Sequence, residues 1–407
     1  MTRSVWTTVV LLFAAYAVDF IDRLVISNAL PQIGTDLHLD HADRGLVVSV
    51  FFVAYAVVQV PGGLLADRFG AWRICVFAML AWSVCAGLTA LAWSLGALVV
   101  IRCVFGVAQG TFPAAAVKAL AERSPPGLRT TANSWVNSAN AGGVLLAGLI
   151  AAWLLPTVGW RGLFLAISGL GLLVALAWTR WMPRPSSPAL MESVGVAPSP
   201  WTLIRAPAII GCAAISFGYN TVAWGLTTWI PSYLEERRGV DVGSAALLMT
   251  LPTLVAAVTI VLGGRLADRL GGRPRVIVLP AMVFVGVLEL LLPAMTSVAQ
   301  FIGLLTVLYA VLGLCSMASL SVPLRALPAA SLGVAAGVIM IGAQAAGIVV
   351  PYLFGLVVDH WSYDAGFVML GLGPAVAIVA AVLVPQNAEA FRAALRISAV
   401  EVSTTTR

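Results

Sequence analysis

The sequence predicts an all-α membrane protein with twelve transmembrane helices in two pseudo-symmetric six-helix bundles. Of the 407 residues, 60% are hydrophobic and only 10% are charged, whereas soluble proteins carry about 25% charged residues. The apolar runs reach about 20 residues, the length at which a helix crosses a bilayer. A sequence motif also recurs at half the length of the chain, which indicates two similar bundles.

Twelve apolar runs are divided equally by a Pro- and Ser-rich stretch. The runs of the first half cover about residues 5–30, 45–66, 74–93, 96–119, 131–155 and 161–180. Those of the second half cover about residues 206–234, 243–264, 275–296, 299–322, 332–357 and 365–385. The composition of the intervening stretch is typical of a linker. The predicted organisation is a first bundle at 1–181, a cytoplasmic linker at 182–200, a second bundle at 201–385 and a cytoplasmic tail at 386–407.

The distribution of basic residues favours an orientation with both termini in the cytoplasm. Most of the 23 lysines and arginines fall in loops and tails on one side, and Arg23 and Arg102 fall within helices. The loops of the other side contain Arg44, Arg161, Arg237 and Arg238. This asymmetry accounts for the net charge of +6 without a nucleic-acid partner. All 5 cysteines fall within predicted spans, so we expect buried structural thiols rather than a disulfide framework.

The repeated motif joins the second and third helices of each half. GGLLADRFGAWR at 62–73 recurs as GGRLADRLGGRPR at 263–275, with glycine, Leu-Ala-Asp-Arg and glycine in register. This text resembles the signature loop of the major facilitator superfamily, and the resemblance covers about residues 5–385. It implies alternating access, in which the two halves rock about a central site.

The same resemblance implies a gating role for the loop. Its aspartate pairs with basic groups and helix ends, and this pairing helps to close the cytoplasmic side. The alternative is that the loop charges only set the topology. The resemblance assigns gating to Gly63, Asp67, Arg68, Gly70, Arg73, Gly264, Asp268 and Arg269.

A narrower resemblance concerns three further stretches. DFIDRLVIS in the first helix, IRCVFGVAQGTFPA at 101–114 and TTWIPSYL at 227–234 are similar to the anion:cation symporter branch, which moves organic and inorganic anions. This resemblance implies a secondary transporter in a bacterial inner membrane. It would take up a small organic anion, a carboxylate, together with protons.

The first helix carries three charges within five residues, Asp19, Asp22 and Arg23. A central aspartate or arginine costs about 2.5–3.5 kcal/mol in insertion measurements. On a helix the three side chains fall within an arc of about 100°, and Tyr16 extends this polar stripe. Asp19 and Arg23 are four residues apart and can pair directly. We therefore expect this face to line a water-filled cavity.

The fourth helix repeats this design with Arg102 and Gln109 on one face. The superfamily resemblance groups helices 1, 4, 7 and 10 around the cavity, so Arg23 and Arg102 form the predicted anion site. A guanidinium is a fixed cation whose planar fork suits a carboxylate. For Arg102, the alternative is a structural role in supporting the first helix.

Proton coupling is predicted at Asp22, with Asp19 as an additional carrier, because burial and a neighbouring carboxylate favour the protonated form. The alternative is that both are static counter-ions. Members of the resembled branch often carry glutamate at the position of Gln109. Glutamine does not titrate, so coupling in this chain depends on the aspartates or is absent.

The second half contributes polar and aromatic residues rather than charges. Asn220 and Trp224 in helix 7, Tyr309 in helix 10 and Gln344 in helix 11 are predicted to hold the body of the substrate. For Trp224 and Tyr309, contact with lipid or helix packing is the alternative.

The sequence lacks the motifs of several other classes of protein. The only lysine, Lys118, does not follow a Gly-rich phosphate-binding loop. The sequence motifs of zinc proteases and serine hydrolases are also absent. We predict no enzyme activity, no cofactor and no metal, and for His38 and His41 a solvated loop is favoured over a weak metal site.

The alternative functions are a proton-coupled exporter or antiporter of drugs or metabolites, or a membrane sensor that does not transport. The predicted partners are the organic anion, protons and the bilayer, with the chain acting as a monomer.

Overall fold

The computed structural model describes residues 3–124, 132, 135–136, 139–183, 203–270, 273–327 and 329–395. Across these residues the regular structure is helical, without strands. The helices of the first half are α1 (Arg3–Leu37), α2 (His41–Phe69), α3 (Ala71–Thr89), α4 (Leu95–Ala121) and α5 (Ala139–Trp181). Those of the second half are α6 (Pro207–Arg238), α7 (Val242–Leu248), α8 (Thr250–Arg269), α9 (Pro274–Leu291), α10 (Val298–Cys315), α11 (Ala318–Ala326), α12 (Ala329–His360), α13 (Tyr363–Leu370), α14 (Leu372–Leu383) and α15 (Ala388–Ala394).

The helices match the predicted spans and confirm the all-α membrane fold. Among the described residues, 10 helical stretches are long and apolar enough to cross a bilayer. One of them, Leu146–Trp181, runs through a break at Gly159, where φ is 65° and ψ is −178°. It therefore comprises two of the predicted spans. Helix α1, with its three mid-helix charges, is not among the 10 and adds the remaining span.

Some helices extend beyond their predicted ends. Helix α1 continues to Leu37 instead of ending near residue 30, and its last turns carry polar residues such as Thr35 and Asp36. Hydropathy marks only the part of a helix that lies in hydrocarbon, whereas backbone hydrogen bonding continues into the polar interface. The sequence-based limits of these helices are therefore too short.

The predicted linker and tail are described only in part. Residues 184–200 of the linker lie outside the described residues. In the tail, α15 is capped by Asn387, whose side chain accepts from the Ala390 amide at 2.7 Å. Phe391 is fully buried, and Arg392 Nε donates to the Ala326 carbonyl at 2.9 Å. This part of the tail is therefore docked on α11, while the predicted boundaries between bundles and linker stay a prediction.

The chain divides into two compact units. Unit 1 comprises Met1–Met191, Thr227–Thr250 and Pro351–His360, and unit 2 comprises Glu192–Leu226, Leu251–Val350 and Trp361–Arg407. In unit 1, α2 packs along α4, α1 packs along α5, and α3 contacts both α4 and α5. In unit 2, α9 packs against α10 and α14.

Glycines allow α2 and α4 to approach closely. A Cβ atom added at Gly110 would lie 2.6 Å from the Tyr55 carbonyl oxygen, and one at Gly106 would lie 3.0 Å from the Ala54 Cβ. Small residues at such crossings permit contact between helix backbones. The close approach brings the polar face of α4 next to the aromatic residues of α2.

The expectation of buried cysteines is correct at four positions and wrong at one. Cys75, Cys85, Cys212 and Cys315 are buried, whereas Cys103 is exposed, and all five are free thiols. Hydropathy cannot distinguish the side of a spanning helix that faces lipid from the side that faces its neighbours. Cys103 lies on the exposed side of α4.

We expect Gly110→Ala to destabilise the protein by about 1–3 kcal/mol, because the added methyl group overpacks a helix contact. Gly169→Ala is the matched control, since Gly169 lies in α5 with no atom within 4 Å of an added Cβ. Thermal unfolding of the detergent-purified variants measures the effect. An unchanged melting temperature for Gly110→Ala would contradict the packing described between α2 and α4.

Candidate functional site

The polar face of α1 is buried inside unit 1. Asp19 and Asp22 are each 1% exposed. Arg23 Nη2 donates to Asp19 Oδ2 at 3.0 Å, as the spacing of four residues predicts. The three charges are thus grouped within one turn and withdrawn from lipid.

Aromatic rings surround the guanidinium of Arg23. Its central carbon lies 4.7 Å from the ring centroid of Tyr55, 5.0 Å from that of Phe20 and 5.5 Å from that of Phe51. A cation over aromatic faces is stabilised by the ring quadrupole, more strongly when it is desolvated. Arg23 is therefore held by one carboxylate and by aromatic rings, and Tyr55 also shares a side-chain hydrogen bond with it.

Sequence reasoning missed Phe51 and Tyr55 as members of this site. Both lie on α2, four residues apart, so they share one helix face. The signal was present as an aromatic pair at helical spacing. It becomes informative only when the packing of α2 against α4 and α1 is known.

Helix α4 places Arg102 and Gln109 on the inner side of unit 1, and both are buried. Gln109 Nε2 donates to the Asp19 backbone carbonyl at 3.2 Å. The Arg102 guanidinium carbon lies 5.0 Å from the Phe105 ring centroid and 5.4 Å from that of Phe164. Gln109 thus links α4 to α1 next to the charged turn.

Asp22 and Arg102 form a second charge pair of a different kind. The two interact electrostatically. Among the described residues, neither carboxylate oxygen of Asp22 has a hydrogen-bond partner, and neither do Nε and Nη2 of Arg102. Asp19 is bonded directly to its arginine, whereas Asp22 and Arg102 retain hydrogen-bonding capacity.

Tyr16 lies on the same helix as the charged turn and is half-buried. Its ring meets the edge of Phe112 with centroids 5.1 Å apart, and Phe112 in turn packs against Trp82. The structure therefore gives Tyr16 a packing contact. Its predicted contact with substrate stays a prediction.

The predicted residues of the second half belong to unit 2. Asn220 is half-buried and its side chain donates to the Ser216 carbonyl of its own helix at 2.8 Å. Trp224 and Gln344 are half-buried, and Tyr309 is 9% exposed. The predicted contact of these four residues with the substrate stays a prediction.

The residues predicted to gate lie at the ends of α2 and α8 and at the start of α3, and their gating role stays a prediction. Gly70 ends α2 with φ at 88°, a conformation that favours glycine. Arg68, Arg73 and Arg269 are exposed. The side chains of Asp67 and Asp268 lie outside the described residues, and their pairing stays a prediction.

The glycine before each predicted gating glycine makes the closer contact. A Cβ at Gly62 would lie 2.6 Å from the Thr111 Cα, and one at Gly263 would lie 2.8 Å from the Leu314 Cα. By contrast, Gly63 has its nearest neighbour at 3.5 Å and Gly264 has none within 4 Å. The internal repeat therefore preserves a tight helix contact in each unit, at a position that sequence reasoning did not select.

The helical spans and the charges held inside unit 1 define a polytopic membrane protein with a polar interior. The family model of the Major Facilitator Superfamily matches residues 12–351 and 238–397, and the chain belongs to this superfamily. This confirms the predicted family and the prediction of a transporter rather than an enzyme.

Two relatives in sequence and one solved structure show what kinds of transporter the chain is similar to. The chain is 27% identical over 392 residues to the hexuronate transporter of Bacillus subtilis, covering 90% of this chain and 91% of the relative. It is 31% identical over 386 residues to a probable sulfoacetate transporter of Cupriavidus necator, covering 88% of each. The crystal structure of a D-xylose–proton symporter matches with a TM-score of 0.78, at 17% identity and covering 94% of this chain and 99% of that chain. At this identity the structural match concerns the fold alone.

We expect Arg102→Gln to lower the melting temperature strongly, because removing one partner of a buried pair leaves the other charge uncompensated, at about 3–5 kcal/mol. The double variant Asp22→Asn/Arg102→Gln should recover much of this loss, since neither charge remains. The measurement is a double-mutant cycle by thermal unfolding.

The matched control for this cycle is Asp22→Asn combined with Arg23→Gln. Its coupling should be smaller, because Arg23 is bonded to Asp19. If the double variant at Asp22 and Arg102 is no more stable than Arg102→Gln alone, these two residues do not form a charge pair.

Proposed function

We propose that this protein is a secondary active transporter that takes up a small organic anion, a carboxylate, across a bacterial inner membrane. The observation that carries the proposal is the state of Arg23, a cation whose side chain is only 9% exposed and is held by one carboxylate and three aromatic rings. The names of the two relatives support it, since hexuronate and sulfoacetate are both small carboxylate-bearing anions.

The chemistry of Arg23 suits this task. A guanidinium presents parallel N–H donors that match the two oxygens of a carboxylate. Arg23 uses Nη2 on Asp19, and its Nε has no hydrogen-bond partner among the described residues. A substrate carboxylate can therefore bind the guanidinium by sharing it with Asp19 or by replacing it. Arg102 adds positive charge nearby and favours anions over organic cations.

Proton coupling is proposed at Asp22. Its carboxyl oxygens lack hydrogen-bond partners among the described residues, and it is completely withdrawn from water. A proton on Asp22 removes one negative charge next to the two arginines, so the site attracts an anion more strongly. Release of the substrate reverses this preference and frees the proton. Asp19 serves as an additional carrier in this scheme, and Gln109 anchors it without titrating.

The transport cycle is proposed to be alternating access, with the two halves rocking about the site. Asn220, Trp224, Tyr309 and Gln344 complete the site from the second half and contact the body of the substrate. The eight gating residues on the two motif loops close the cytoplasmic side, with both termini in the cytoplasm. A single chain performs the whole cycle.

We expect carboxylates to raise the melting temperature of the purified wild-type protein, because a ligand that binds only the folded state stabilises it by mass action. Arg23→Ala should abolish this shift and the associated uptake. The measurement is thermal unfolding with a panel of hexuronates, sulfoacetate, phosphates, amines and neutral sugars.

The matched control is Arg180→Ala, which removes an exposed arginine at the end of α5. It should leave the ligand-induced shift unchanged. Shifts produced only by amines or bulky apolar compounds would contradict the anion site and favour an exporter. Binding without any flux in proteoliposomes would favour a sensor.

We expect Asp22→Asn to abolish uptake driven by a pH gradient while exchange of labelled for unlabelled substrate continues. The neutral amide of the asparagine allows the two halves to move with the anion bound, but it cannot take up and release a proton. Parallel assays in proteoliposomes measure both activities. Gradient-driven accumulation at the wild-type level in Asp22→Asn would exclude Asp22 as the carrier.

A further inference from the structure

Four charged side chains in unit 1 form a cluster at the beginning of α2. This α2 charge cluster consists of His41, Arg44, Glu236 and Asp359. Arg44 pairs with Glu236 at the end of α6, and His41 contacts both Glu236 and Asp359 at the end of α12. The sequence-based expectation of a solvated loop at His41 is therefore wrong, because His41 is the first residue of α2 and joins three helices.

The hydrogen-bond geometry of His41 requires a proton. Its Nδ1 lies 2.7 Å from Asp359 Oδ1, and its Nε2 lies 2.7 Å from Glu236 Oε2. An ionised carboxylate only accepts hydrogen bonds, and a neutral imidazole has only one N–H donor. Both contacts are satisfied only if the ring is doubly protonated or if one carboxyl carries the proton. In either case the assembled cluster holds one proton more than neutral histidine with two carboxylates.

Backbone amides and an arginine also donate to these two carboxylates. Asp359 also accepts from the backbone amides of His41 at 3.1 Å and Ala42 at 2.8 Å, so it caps the first turn of α2. The second oxygen of Glu236 accepts from Arg44. With the proton the four side chains carry no net charge, and without it they carry one negative charge.

Close packing surrounds this cluster. The Trp229 ring lies 5.8 Å from that of His41, stacks on Phe354 with centroids 5.4 Å apart, and donates to the Pro351 carbonyl at 3.1 Å. A Cβ at Gly355 would lie 2.9 Å from the Ala42 Cα. The backbone at the start of α2 therefore contacts the backbone near the end of α12 directly. The unbalanced negative charge that the cluster carries without the proton destabilises this contact.

Further titratable groups lie around the imidazole. Asp40 caps α2 by accepting from the Asp43 amide at 2.7 Å, and Asp43 also feels the charge of Asp359. On α6, Glu235 precedes Glu236 and interacts with it and with Arg44. Glu236, Asp359 and Arg44 act on His41 itself, and Asp40, Asp43 and Glu235 lie next to the cluster through their interactions with one another, with Asp359, or with Glu236 and Arg44. Most of them are acidic, which favours retention of a proton.

We propose that the α2 charge cluster is a proton-binding site, distinct from Asp19 and Asp22, whose bound proton fastens the ends of α6 and α12 to the start of α2. The side chains of His41, Glu236 and Asp359 are 20–26% exposed, so water delivers the proton directly. Above the pKa of a free histidine, about 6.5, the fastened contact holds one proton more than its separated parts, so it weakens as the pH rises further. The inference depends neither on the substrate nor on the carrier proposed at Asp22.

The test is hydrogen–deuterium exchange of the full chain in detergent without substrate, read on peptides that contain the first turn of α2 and the end of α12. We expect protection to fall as the pH rises from about 5.5 to 8.5, after correction for intrinsic exchange rates. For one linked proton the change reaches about tenfold per pH unit within the titration range. His41→Gln should remove this pH dependence, since the amide carries no titrating proton.

Two matched controls are available, because the chain has 3 histidines. His38→Gln and His360→Gln alter exposed rings beside the cluster and should retain the wild-type pH dependence. If His41→Gln does not fold, Glu236→Gln tests the same point, since it leaves the Asp359 cap of α2 in place and removes the need for a second ring proton. Wild-type protection that is independent of pH, or a His41→Gln or Glu236→Gln response equal to wild type, would overturn the proposal.

Discussion

A guanidinium inside unit 1 that cannot lose its proton is the constraint around which this unit is arranged. Arginine stays charged in proteins, so the charge of Arg23 must be balanced locally. Asp19 provides this balance one turn away on α1, and Phe20, Phe51 and Tyr55 provide apolar surface that tolerates a cation. Two of these rings come from α2, so helix packing and charge burial depend on each other.

The glycines of α4 connect this charge to the rest of the unit. Gly106 and Gly110 let α4 lie against the backbone of α2 at Phe51 and Tyr55. The same approach brings Gln109 within hydrogen-bonding distance of the Asp19 carbonyl. Side chains larger than hydrogen at these positions would separate the aromatic rings from the cation that they surround. Small residues in α4 are therefore part of the charged site, although they carry no charge themselves.

Two aspartates on one helix turn have different chemical environments. Asp19 is bonded to Arg23 through its side chain and to Gln109 through its backbone. Asp22 is equally buried, but it has an electrostatic partner, Arg102, without a hydrogen bond among the described residues. A carboxyl without hydrogen bonds exchanges a proton at less structural cost than one that holds an ion pair together. This difference supports the proposal that Asp22 is the main proton carrier, with Asp19 as an additional one that also anchors Arg23.

The amino-acid sequence alone determined that the chain is a helical membrane protein and where its apolar spans lie, because long apolar runs have few structures available to them in a bilayer. It also determined the duplicated loop motif, the family, and the pairing of Asp19 with Arg23, since that pairing follows from a spacing of four within one helix. Contacts between helices were not accessible in this way. The α2 rings next to Arg23, the glycine contacts at Gly62 and Gly263 and the links of the α2 charge cluster to α6 and α12 join residues from 28 to 318 positions apart. Only tertiary packing decides which residues meet at such separations, because local periodicity defines the faces of a helix but not its neighbours.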